Sequence, residues 1–500
     1  MTGTIAIIGG GVAGLAAGCY AQMNGYASQI YELHSIPGGL CTSWKRRGYT
    51  FDGAIRYLSG THPHSKIHQL WDELGALEGT EIHYYDEFTR YIGRDGRALI
   101  VYTNIDRLEQ HLLELSPQDA DPIHELAGAV RDFTRMELPL DITPADPREL
   151  LDMGMQMMPV LLPALRWRNV TVRAFAERFR DPLLREALPE FFQFAPPNFP
   201  MMLLLSTLAN MNDMEAGYPI GGSLRFAQGL ARRYVELGGQ IHCRARVERI
   251  LVQDNRAVGV RLADGSEHRA DRVISAADGH STLFDLLNGE YLNEELLARY
   301  RTLPKSKSIL QVALGVARDF AAEPPSVSFP LAQPLTLGGI PHERLVLKHY
   351  SLDPTLAPAG KSVLSVWCEA SYGHWRDLKA RSEPAYRAAK DEAAELVVSA
   401  LEGRYPGLRD QVEAVDVATP LTYERYTANW RGAFAGWALT TTKMSMMMGG
   451  GMSKTLPGLD RFHMCGQWVE PGGNVELSAA SGRDVIRDLC RLDARPFQAR

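Results

Sequence analysis

A strand, a glycine-rich turn and a helix at the start of the chain constrain its fold more than any other feature. Apolar and β-branched residues at Thr4–Ile8 predict a strand that is buried on both faces. Alanine- and leucine-rich sequence at Val12–Met23 predicts a helix, and Ser28–Leu33 predicts a second strand. This order is that of a βαβ unit, so we expect an α/β protein with a doubly wound, Rossmann-like domain.

The turn between the first strand and the helix has the spacing G-x-G-x-x-G. Gly9 permits the tight turn, Gly11 lets the backbone approach a diphosphate, and Gly14 lets the helix pack closely on the strand. The first residues of the helix, Val12 and Ala13, offer free N–H groups and the positive end of the helix dipole to phosphate oxygens. The turn is therefore predicted to bind a dinucleotide.

A carboxylate at the end of the second strand bears on which dinucleotide is bound. Glu32, followed by Leu33, stands where a carboxylate accepts hydrogen bonds from the ribose hydroxyls, which disfavours the 2′-phosphate of NADP. FAD and NAD both satisfy this pattern. A second glycine pair, Gly38 and Gly39, follows, with the basic residue Lys45 nearby. These residues form either another close approach to the diphosphate or a simple turn beside a solvated charge cluster.

Composition excludes several other classes of protein. The chain has 500 residues, a formal net charge of −6 and interspersed charges, so it lacks the positive surface that nucleic-acid binding requires. Its six cysteines include no Cys-x-x-Cys pair, which argues against a bound metal or a disulfide framework. The N-terminus lacks the features of a signal peptide, and the mid-chain apolar run is too short to span a membrane. We therefore expect a cytoplasmic protein of undetermined oligomeric state, with peripheral membrane contact left open.

Further motifs along the chain establish a resemblance. They are Glu32 with Pro37-Gly38-Gly39, Tyr218-Pro219-x-Gly221-Gly222, Val273-Ile274-Ser275-Ala276-Ala277-Asp278, and Cys465-Gly466 with Pro471-Gly472-Gly473. In this order they resemble the phytoene desaturase family, which includes carotenoid desaturases, the carotenoid cis–trans isomerase and retinol saturase, within the flavin amine oxidase superfamily. The resemblance implies FAD as the cofactor and an FAD-binding domain of the glutathione-reductase type.

The chain is expected to divide into two discontinuous domains. The FAD-binding domain takes residues 1–70, 218–290 and 455–500. The substrate-binding domain takes 71–217 and 291–454 and combines an inserted mixed sheet with helices. Sequence rich in Met, Leu and Phe, interrupted by prolines, indicates a helical cap around 144–214.

The resemblance also implies which residues bind the cofactor. Val247 is expected to hold the adenine edge through its backbone, while Gly466, Gly473 and a helix starting near Leu477 close over the flavin. The full expected set is Gly9, Gly11, Val12, Ala13, Gly14, Glu32, Leu33, Gly38, Gly39, Leu40, Lys45, Val247, Gly466, Gly473, Asn474 and Val475.

The second glycine pair departs from the family pattern. Where many relatives have Gly-Gly-Arg, this chain has Gly39-Leu40-Cys41, so a basic contact to the diphosphate is expected from Lys45 instead. Cys41 is interpreted as a small buried thiol rather than as the site of a flavin thioether.

Candidate catalytic residues follow from the same resemblance. Arg56 and Tyr57 fall where relatives place residues that face the flavin, although a structural Arg–carboxylate pair fits Arg56 equally well. Glu470 is a candidate proton donor or acceptor toward a double bond, with an ion-paired glutamate as the alternative. Trp430 either stacks against substrate or packs in the core. Methionines in the segment 444–452 are interpreted as lining a substrate channel, and those at 153–158 as core.

The expected function is that of an FAD-dependent oxidoreductase acting on carbon–carbon bonds of a long apolar, isoprenoid- or carotenoid-like small molecule. The reaction is desaturation, saturation or cis–trans isomerisation. Two alternatives remain: a flavin amine oxidase, and a non-catalytic lipid- or prenyl-binding protein of the same fold. The complete glycine and carboxylate pattern favours an enzyme over the last of these.

Overall fold

The computed structural model describes residues 3–136, 165–441, 452–470 and 474–500. The first part of the predicted cap, both methionine clusters up to residue 451, and Gly473 lie outside the described residues.

Strands occur throughout the described chain. They are β1 (Thr4–Ile8), β2 (Ala27–Glu32), β3 (Ser43–Arg46), β4 (Tyr49–Asp52), β5 (Leu58–Ser59), β6 (Ile82–His83), β7 (Glu87–Ile92), β8 (Ala98–Tyr102), β9 (Ala216–Pro219), β10 (Gln240–Cys243), β11 (Val247–Gln253), β12 (Arg256–Leu262), β13 (Glu267–Arg269), β14 (Arg272–Ser275), β15 (Ile309–Val316), β16 (Ser326–Leu337), β17 (Ile340–His349), β18 (Ser362–Glu369), β19 (Val412–Ala418) and β20 (Phe462–Met464).

Helices connect and cover these strands. They are α1 (Val12–Met23), α2 (His68–Glu73), α3 (Ile105–Leu115), α4 (Ala120–Thr134), α5 (Val172–Ala176), α6 (Pro182–Ala187), α7 (Met201–Asn212), α8 (Gly222–Glu236), α9 (Glu294–Thr302), α10 (Tyr372–Arg381), α11 (Glu383–Arg404), α12 (Pro420–Thr427) and α13 (Val475–Leu492).

A five-stranded parallel sheet, in the order β10-β2-β1-β14-β20, brings together the start, the middle and the end of the chain. The apolar residues of β1 are buried on both faces, as a strand inside a parallel sheet requires. Helix α1 packs on this sheet between α8 and α13. The close approach to α8 depends on Gly18, where an added Cβ would lie 2.7 Å from the ring of Tyr234.

A seven-stranded mixed sheet forms the second layer, in the order β19-β15-β18-β17-β16-β7-β8. Strand β15, between β19 and β18, is buried along its whole length. One face packs against α11 through a cluster that includes Leu310, Val366, Val397 and Leu401. This sheet and its helices confirm the expected mixed α/β architecture.

Helices α3 to α7 form a separate apolar cluster beside β7 and β8, with Leu126, Phe179 and Leu205 among its fully buried residues. The later part of the predicted cap is thus helical, and its residues 165–214 pack mainly on one another and on α3 and α4. Among the described residues, no helix is long and apolar enough to cross a membrane.

The boundaries of two predicted elements differ from the structure for local reasons. The single strand expected at 240–247 is divided into β10 and β11, because Arg244 adopts a left-handed backbone with φ of 57°. The C-terminal helix, expected to start near Leu477, begins at Val475, because the Asn474 side chain accepts a hydrogen bond from the Leu477 N–H at 3.1 Å and caps it.

Candidate functional site

The glycine turn after β1 lies at the carboxyl end of the parallel sheet. Gly9 has a φ of 96°, and a Cβ on Gly14 would lie 2.0 Å from the Gly9 carbonyl oxygen, so helix and turn are in backbone contact. Around Gly11 the space is open, since an added Cβ would meet nothing closer than 3.9 Å. The second glycine pair joins this turn directly, because Gly38 donates its N–H to the Gly10 carbonyl at 2.8 Å. Bare backbone on both glycine segments therefore faces one space.

Glu32 lies beside this space with its carboxylate held in place. Its two oxygens accept hydrogen bonds from the N–H of Gly10 at 2.6 Å and the N–H of His34 at 2.7 Å. Burial raises the pKa of Glu32, and these two N–H groups oppose the shift. A carboxylate retains further acceptor capacity after one bond to each oxygen, so Glu32 can still accept from ribose hydroxyls.

The segment before β11 continues the wall next to Glu32. The Ala245 N–H donates to the Glu32 carbonyl at 2.9 Å, which places Arg246 and Val247 at the edge of the same cavity. Arg246 is a basic residue on this wall that the sequence did not single out.

The C-terminal segment closes the opposite side. Gly466 has a φ of 94°, and its N–H donates to the Ser481 hydroxyl at 2.9 Å, so the strand β20 is tied to α13. The first residues at the helix N-terminus, Asn474 and Val475, line the cavity. The free N–H groups of this helix end therefore lie at the cavity, as anion or carbonyl binding requires.

These walls enclose one cavity of about 560 Å³ that continues from the glycine turns into an apolar chamber. The predicted residues that line it are Gly9, Gly11, Val12, Ala13, Glu32, Leu33, Gly38, Gly39, Leu40, Arg56, Tyr57, Val247, Gly466, Asn474 and Val475. Gly14 lies beneath the turn, against Gly9 and Ala276, and contributes packing rather than surface.

The apolar chamber is built largely from aromatic side chains. Ring contacts run from Tyr57 to Phe88 at 5.6 Å, from Phe88 to Phe191 at 5.5 Å, and from Phe191 to Phe192 at 4.8 Å between centroids. Trp367 and other apolar residues complete the lining. Such a chamber selects for a long apolar molecule.

Tyr57 and Glu476 are two ionisable groups that line the cavity and interact electrostatically. Burial raises the pKa of Tyr57 to about 12, and the nearby Glu476 contributes in the same direction. Burial also raises the pKa of Glu476, while the nearby Ser59 hydroxyl opposes the shift. Glu476 lines the cavity in the first turn of α13 but was missed by sequence reasoning. Its position two residues after the N-cap Asn474 was the available signal.

Arg56 also lines the cavity, next to Tyr57. Its guanidinium donates to the Gln193 side-chain oxygen at 3.1 Å and lies 5.4 Å from the centre of the Trp367 ring. Arg56 forms no ion pair with a carboxylate among the described side chains, so the structural Arg–carboxylate pair is not formed there. Burial lowers the pKa of Arg56, and the groups that oppose this shift are tyrosines.

The structure does not bring Glu470 or Lys45 to the cavity. Glu470 forms an ion pair with Lys454 at 3.0 Å, and Lys454 also binds Asp484 at 2.9 Å. Glu470 therefore matches the ion-paired alternative. Lys45 is exposed on the β3–β4 hairpin, where it points into solvent instead of toward the glycine turns.

The two remaining sequence candidates have packing roles. The Cys41 thiol is buried and donates to the Ser223 carbonyl at 3.4 Å, and burial raises its pKa, as expected for an unreactive thiol. Trp430 stacks on His280 at 4.3 Å with an interplanar angle of 14°, outside the cavity.

A buried carboxyl beside the cavity comes from a motif that the sequence did identify. Asp278, after β14, accepts hydrogen bonds from the backbone N–H of Trp430 at 2.9 Å and of Ser281 at 2.8 Å. Burial raises its pKa to about 6. Its role is to hold the segment 428–430 against the cavity wall.

The glycine turns, the ribose carboxylate and the helix end over one elongated cavity define a dinucleotide-binding oxidoreductase. The chain matches the family described as flavin containing amine oxidoreductase over residues 12–490 and belongs to it. Its cofactor is FAD, and the bare glycine backbone, Glu32 and the α13 N-terminus fit the diphosphate, ribose and flavin of that group.

Relatives with known names process carotenoids. The chain is 26% identical to a chloroplastic prolycopene isomerase from Daucus carota over 488 residues, covering 95% of this chain and 78% of that protein. It is 27% identical to a lycopene-forming phytoene desaturase from Pseudescherichia vulneris over 440 residues, covering 83% and 85%.

Solved structures share the fold. An oxidoreductase from Methanosarcina mazei matches with a TM-score of 0.62 at 17% identity, and the match covers 97% of this chain and 100% of the other. Cyclohexylamine oxidase from Brevibacterium oxydans matches with a TM-score of 0.60 at 14% identity, covering 99% and 100%.

Proposed function

We propose that this protein is an FAD-dependent oxidoreductase that acts on carbon–carbon bonds of a long apolar isoprenoid, by desaturation, saturation or cis–trans isomerisation. The observation that carries the proposal is the continuity of one cavity from the dinucleotide cradle into an aromatic chamber. The names of the relatives, a prolycopene isomerase and phytoene desaturases, support the same substrate class.

The cavity suits a hydrocarbon chain better than a small polar substrate. Its apolar chamber includes Phe88, Phe191, Phe192, Phe194, Leu203 and Trp367. Burying a polyene there removes its surface from water at about 25 cal/mol per Å², so binding strength grows with chain length. The aromatic walls also exclude water from the reacting carbons.

Each protein group has a defined task in this proposal. FAD, when bound, supplies hydride exchange with a substrate carbon. The backbone of Gly9, Gly11 and Gly39 holds the diphosphate, and Glu32 holds the ribose. Tyr57 and Glu476 are proposed to hold or move a proton at the junction of the two cavity ends, with Glu476 replacing Glu470 in that role.

The division of the chain into domains is part of the proposal. Residues 1–70, 218–290 and 455–500 are assigned to FAD binding, because they supply every strand of the parallel sheet. Residues 71–217 and 291–454 are assigned to substrate binding. An isoprenoid dissolves in lipid, so the proposal includes peripheral contact of the protein with a membrane. Co-sedimentation with phospholipid vesicles tests this contact.

The test is turnover by the FAD-loaded protein under anaerobic and aerobic conditions. We expect spectral shifts or cis–trans conversion of a linear polyene, resolved by chromatography, and no peroxide release from a panel of amines. Conversion of amines without conversion of polyenes would instead support amine oxidation. Conversion of neither, with FAD retained, would support a binding protein and refute the proposal.

A matched pair of glutamate variants tests the acid–base assignment. Glu476→Gln is expected to lower kcat by about 10²-fold or more, the usual contribution of general acid–base catalysis. Glu470→Gln makes the same chemical change outside the cavity and is expected to leave kcat within a few-fold of the value for the unmodified protein. Equal losses in the two variants would contradict the role of Glu476.

A further inference from the structure

A pair of basic side chains at the wall of the apolar chamber has no role in the chemistry described above. Arg56 lines the main cavity, and it also borders a side cavity of about 30 Å³ whose wall includes Lys348. Phe88, Phe191 and Gln193 line both cavities, so the side cavity lies directly behind the chamber wall.

The Arg56 guanidinium has few hydrogen-bond partners among the described residues. Its guanidinium donates to the Gln193 side-chain oxygen, whose own amide N–H₂ donates to the Trp367 carbonyl at 2.5 Å. Within the part of the chain that the structure describes, no carboxylate forms an ion pair with Arg56. Several N–H donors of a guanidinium therefore remain directed at the cavity.

Lys348, on β17, extends the positive charge behind Arg56. Its side chain is 7% exposed, and its Nζ has no hydrogen-bond partner among the described residues. The Nζ lies 4.7 Å from the Tyr350 ring centre. Burial and the neighbouring Arg56 lower the pKa of Lys348 well below its usual value, while Asp52 opposes the shift, so the charged form of Lys348 is costly unless a ligand or water supplies acceptors.

Two acidic groups of the neighbourhood accept hydrogen bonds from other groups, and a third, Glu190, lines the side cavity itself. Asp52 accepts from the Ser223 N–H and the Ser223 hydroxyl, both at 2.6 Å. Asp353 accepts from the Gly221 N–H at 2.7 Å. The charged or titratable groups that face Lys348 and Arg56 are Asp52, Tyr57, Tyr85, Glu190, Tyr218, His349, Tyr350 and Asp353.

A pure hydrocarbon would fit this corner badly. It would displace water from the Arg56 guanidinium and leave donors unsatisfied in an apolar chamber. A substrate with oxygen at one end avoids that cost, and the Arg56 guanidinium, with the basic Lys348 behind it, favours an anionic oxygen over a neutral one.

We propose that Arg56, with Lys348 behind it, binds a carboxylate at one end of the isoprenoid substrate. The inference rests on the proposed function for the apolar chain and adds the identity of its end group. The substrate class is then an isoprenoid acid whose carboxylate lies at the Arg56 end and whose double bonds extend toward Tyr57 and Glu476.

The test compares two ligands that share one isoprenoid chain and differ at its end, where one has a carboxylate and the other a neutral methyl ester. Geranylgeranoic acid and its methyl ester are titrated, in the same detergent, into the FAD-loaded protein, and binding is measured by calorimetry. We expect the acid to bind about 10-fold tighter than the ester. Arg56→Gln should reduce this ratio to near 1, Lys348→Met should reduce it in part, and Arg56→Lys should restore part of it.

Lys305→Met is the matched control, because Lys305 is a partly buried cation that lies over Trp430 at 3.8 Å, outside the main cavity. It should leave the ratio unchanged, and retained FAD shows that each variant is folded. Equal binding of acid and ester by the unmodified protein would overturn the carboxylate site while leaving the apolar substrate intact. Binding of neither ligand would count against the proposed function as well.

Discussion

The contact between α1 and α13 provides the sharpest test of how the cofactor site is held together. Gly482 of α13 faces the backbone of α1, and a Cβ at this position would lie 2.5 Å from the Ala13 carbonyl oxygen and 2.7 Å from the Ala17 N. Both atoms belong to helix backbone, so no rotamer change relieves the contact. Gly482→Ala must therefore push the two helices apart by about half an ångström or more before the contact reaches 3.0 Å.

The magnitude follows from a comparison with a second glycine. Replacing a helical glycine by alanine gains up to about 1 kcal/mol from backbone propensity alone. Gly128, inside α4, has nothing within 4 Å of an added Cβ, so Gly128→Ala should show that gain. Gly482→Ala has the same gain but adds overpacking, which costs about 1–3 kcal/mol. The two variants should thus differ by about 1–3 kcal/mol in the free energy of unfolding.

The assay is urea unfolding of both FAD-loaded variants, with the dissociation constant for FAD measured by equilibrium dialysis. If the whole strain acts on the FAD site, Gly482→Ala weakens FAD binding by about 5- to 150-fold, at 1.4 kcal/mol per factor of ten. Gly128→Ala should leave FAD affinity unchanged. Stabilities within about 0.5 kcal/mol of each other, with equal FAD affinity, would refute the backbone contact.

Other predictions concern single ionisable residues. Glu32→Gln should weaken FAD binding by about 10-fold or more, since a hydrogen bond to a charged group contributes about 1.5–3 kcal/mol. Lys45→Ala, the control, should not change FAD affinity. Both affinities are measured by equilibrium dialysis. Glu73 is fully buried and lies 3.0 Å from Arg483. Glu73→Ala should lower the free energy of unfolding, measured in urea, by about 3–5 kcal/mol, because a buried cation loses its carboxylate. Burial lowers the pKa of His463 to about 4. The unfolded chain binds this proton below about pH 6.5, so the free energy of unfolding falls by about 3 kcal/mol as the pH is lowered from about 6.5 to about 4. His463→Leu should flatten that part of a stability–pH curve, and an unchanged curve would contradict the assignment.

The parallel sheet could be predicted from the sequence because its signals are local. β1 and α1 have the predicted bounds, since an apolar run and a glycine turn fix them without help from the rest of the chain. The apolar run Ile309–Val316 likewise predicts a strand with the bounds that β15 has, because all its residues are buried between β19 and β18. Strand β16, with Pro330 and exposed polar residues, was not predicted, since its pairing with β17 and β7 depends on distant segments.

The glycine end of the cavity was predictable for a similar reason, and the acidic residue that lines the cavity was not. Backbone cradles need glycine at fixed spacing, so Gly9, Gly11 and Gly39 are visible in one sequence. Acid–base residues need only a side chain that reaches the cavity, and that depends on helix direction. Glu470 and Glu476 are six positions apart, yet the first pairs with Lys454 and the second lines the cavity.

Cofactor binding and proton handling are linked through one helix end. Asn474 and Val475 line the cavity at the N-terminus of α13, and Glu476 follows in the same turn. A displacement of α13 that withdraws its N–H groups from the cavity would also move the Glu476 carboxyl, which follows in the same turn. Because Gly482 sets the distance between α13 and α1, the strain introduced there should lower kcat as well as FAD affinity. A residue remote from substrate thus positions both the cofactor and the proposed acid.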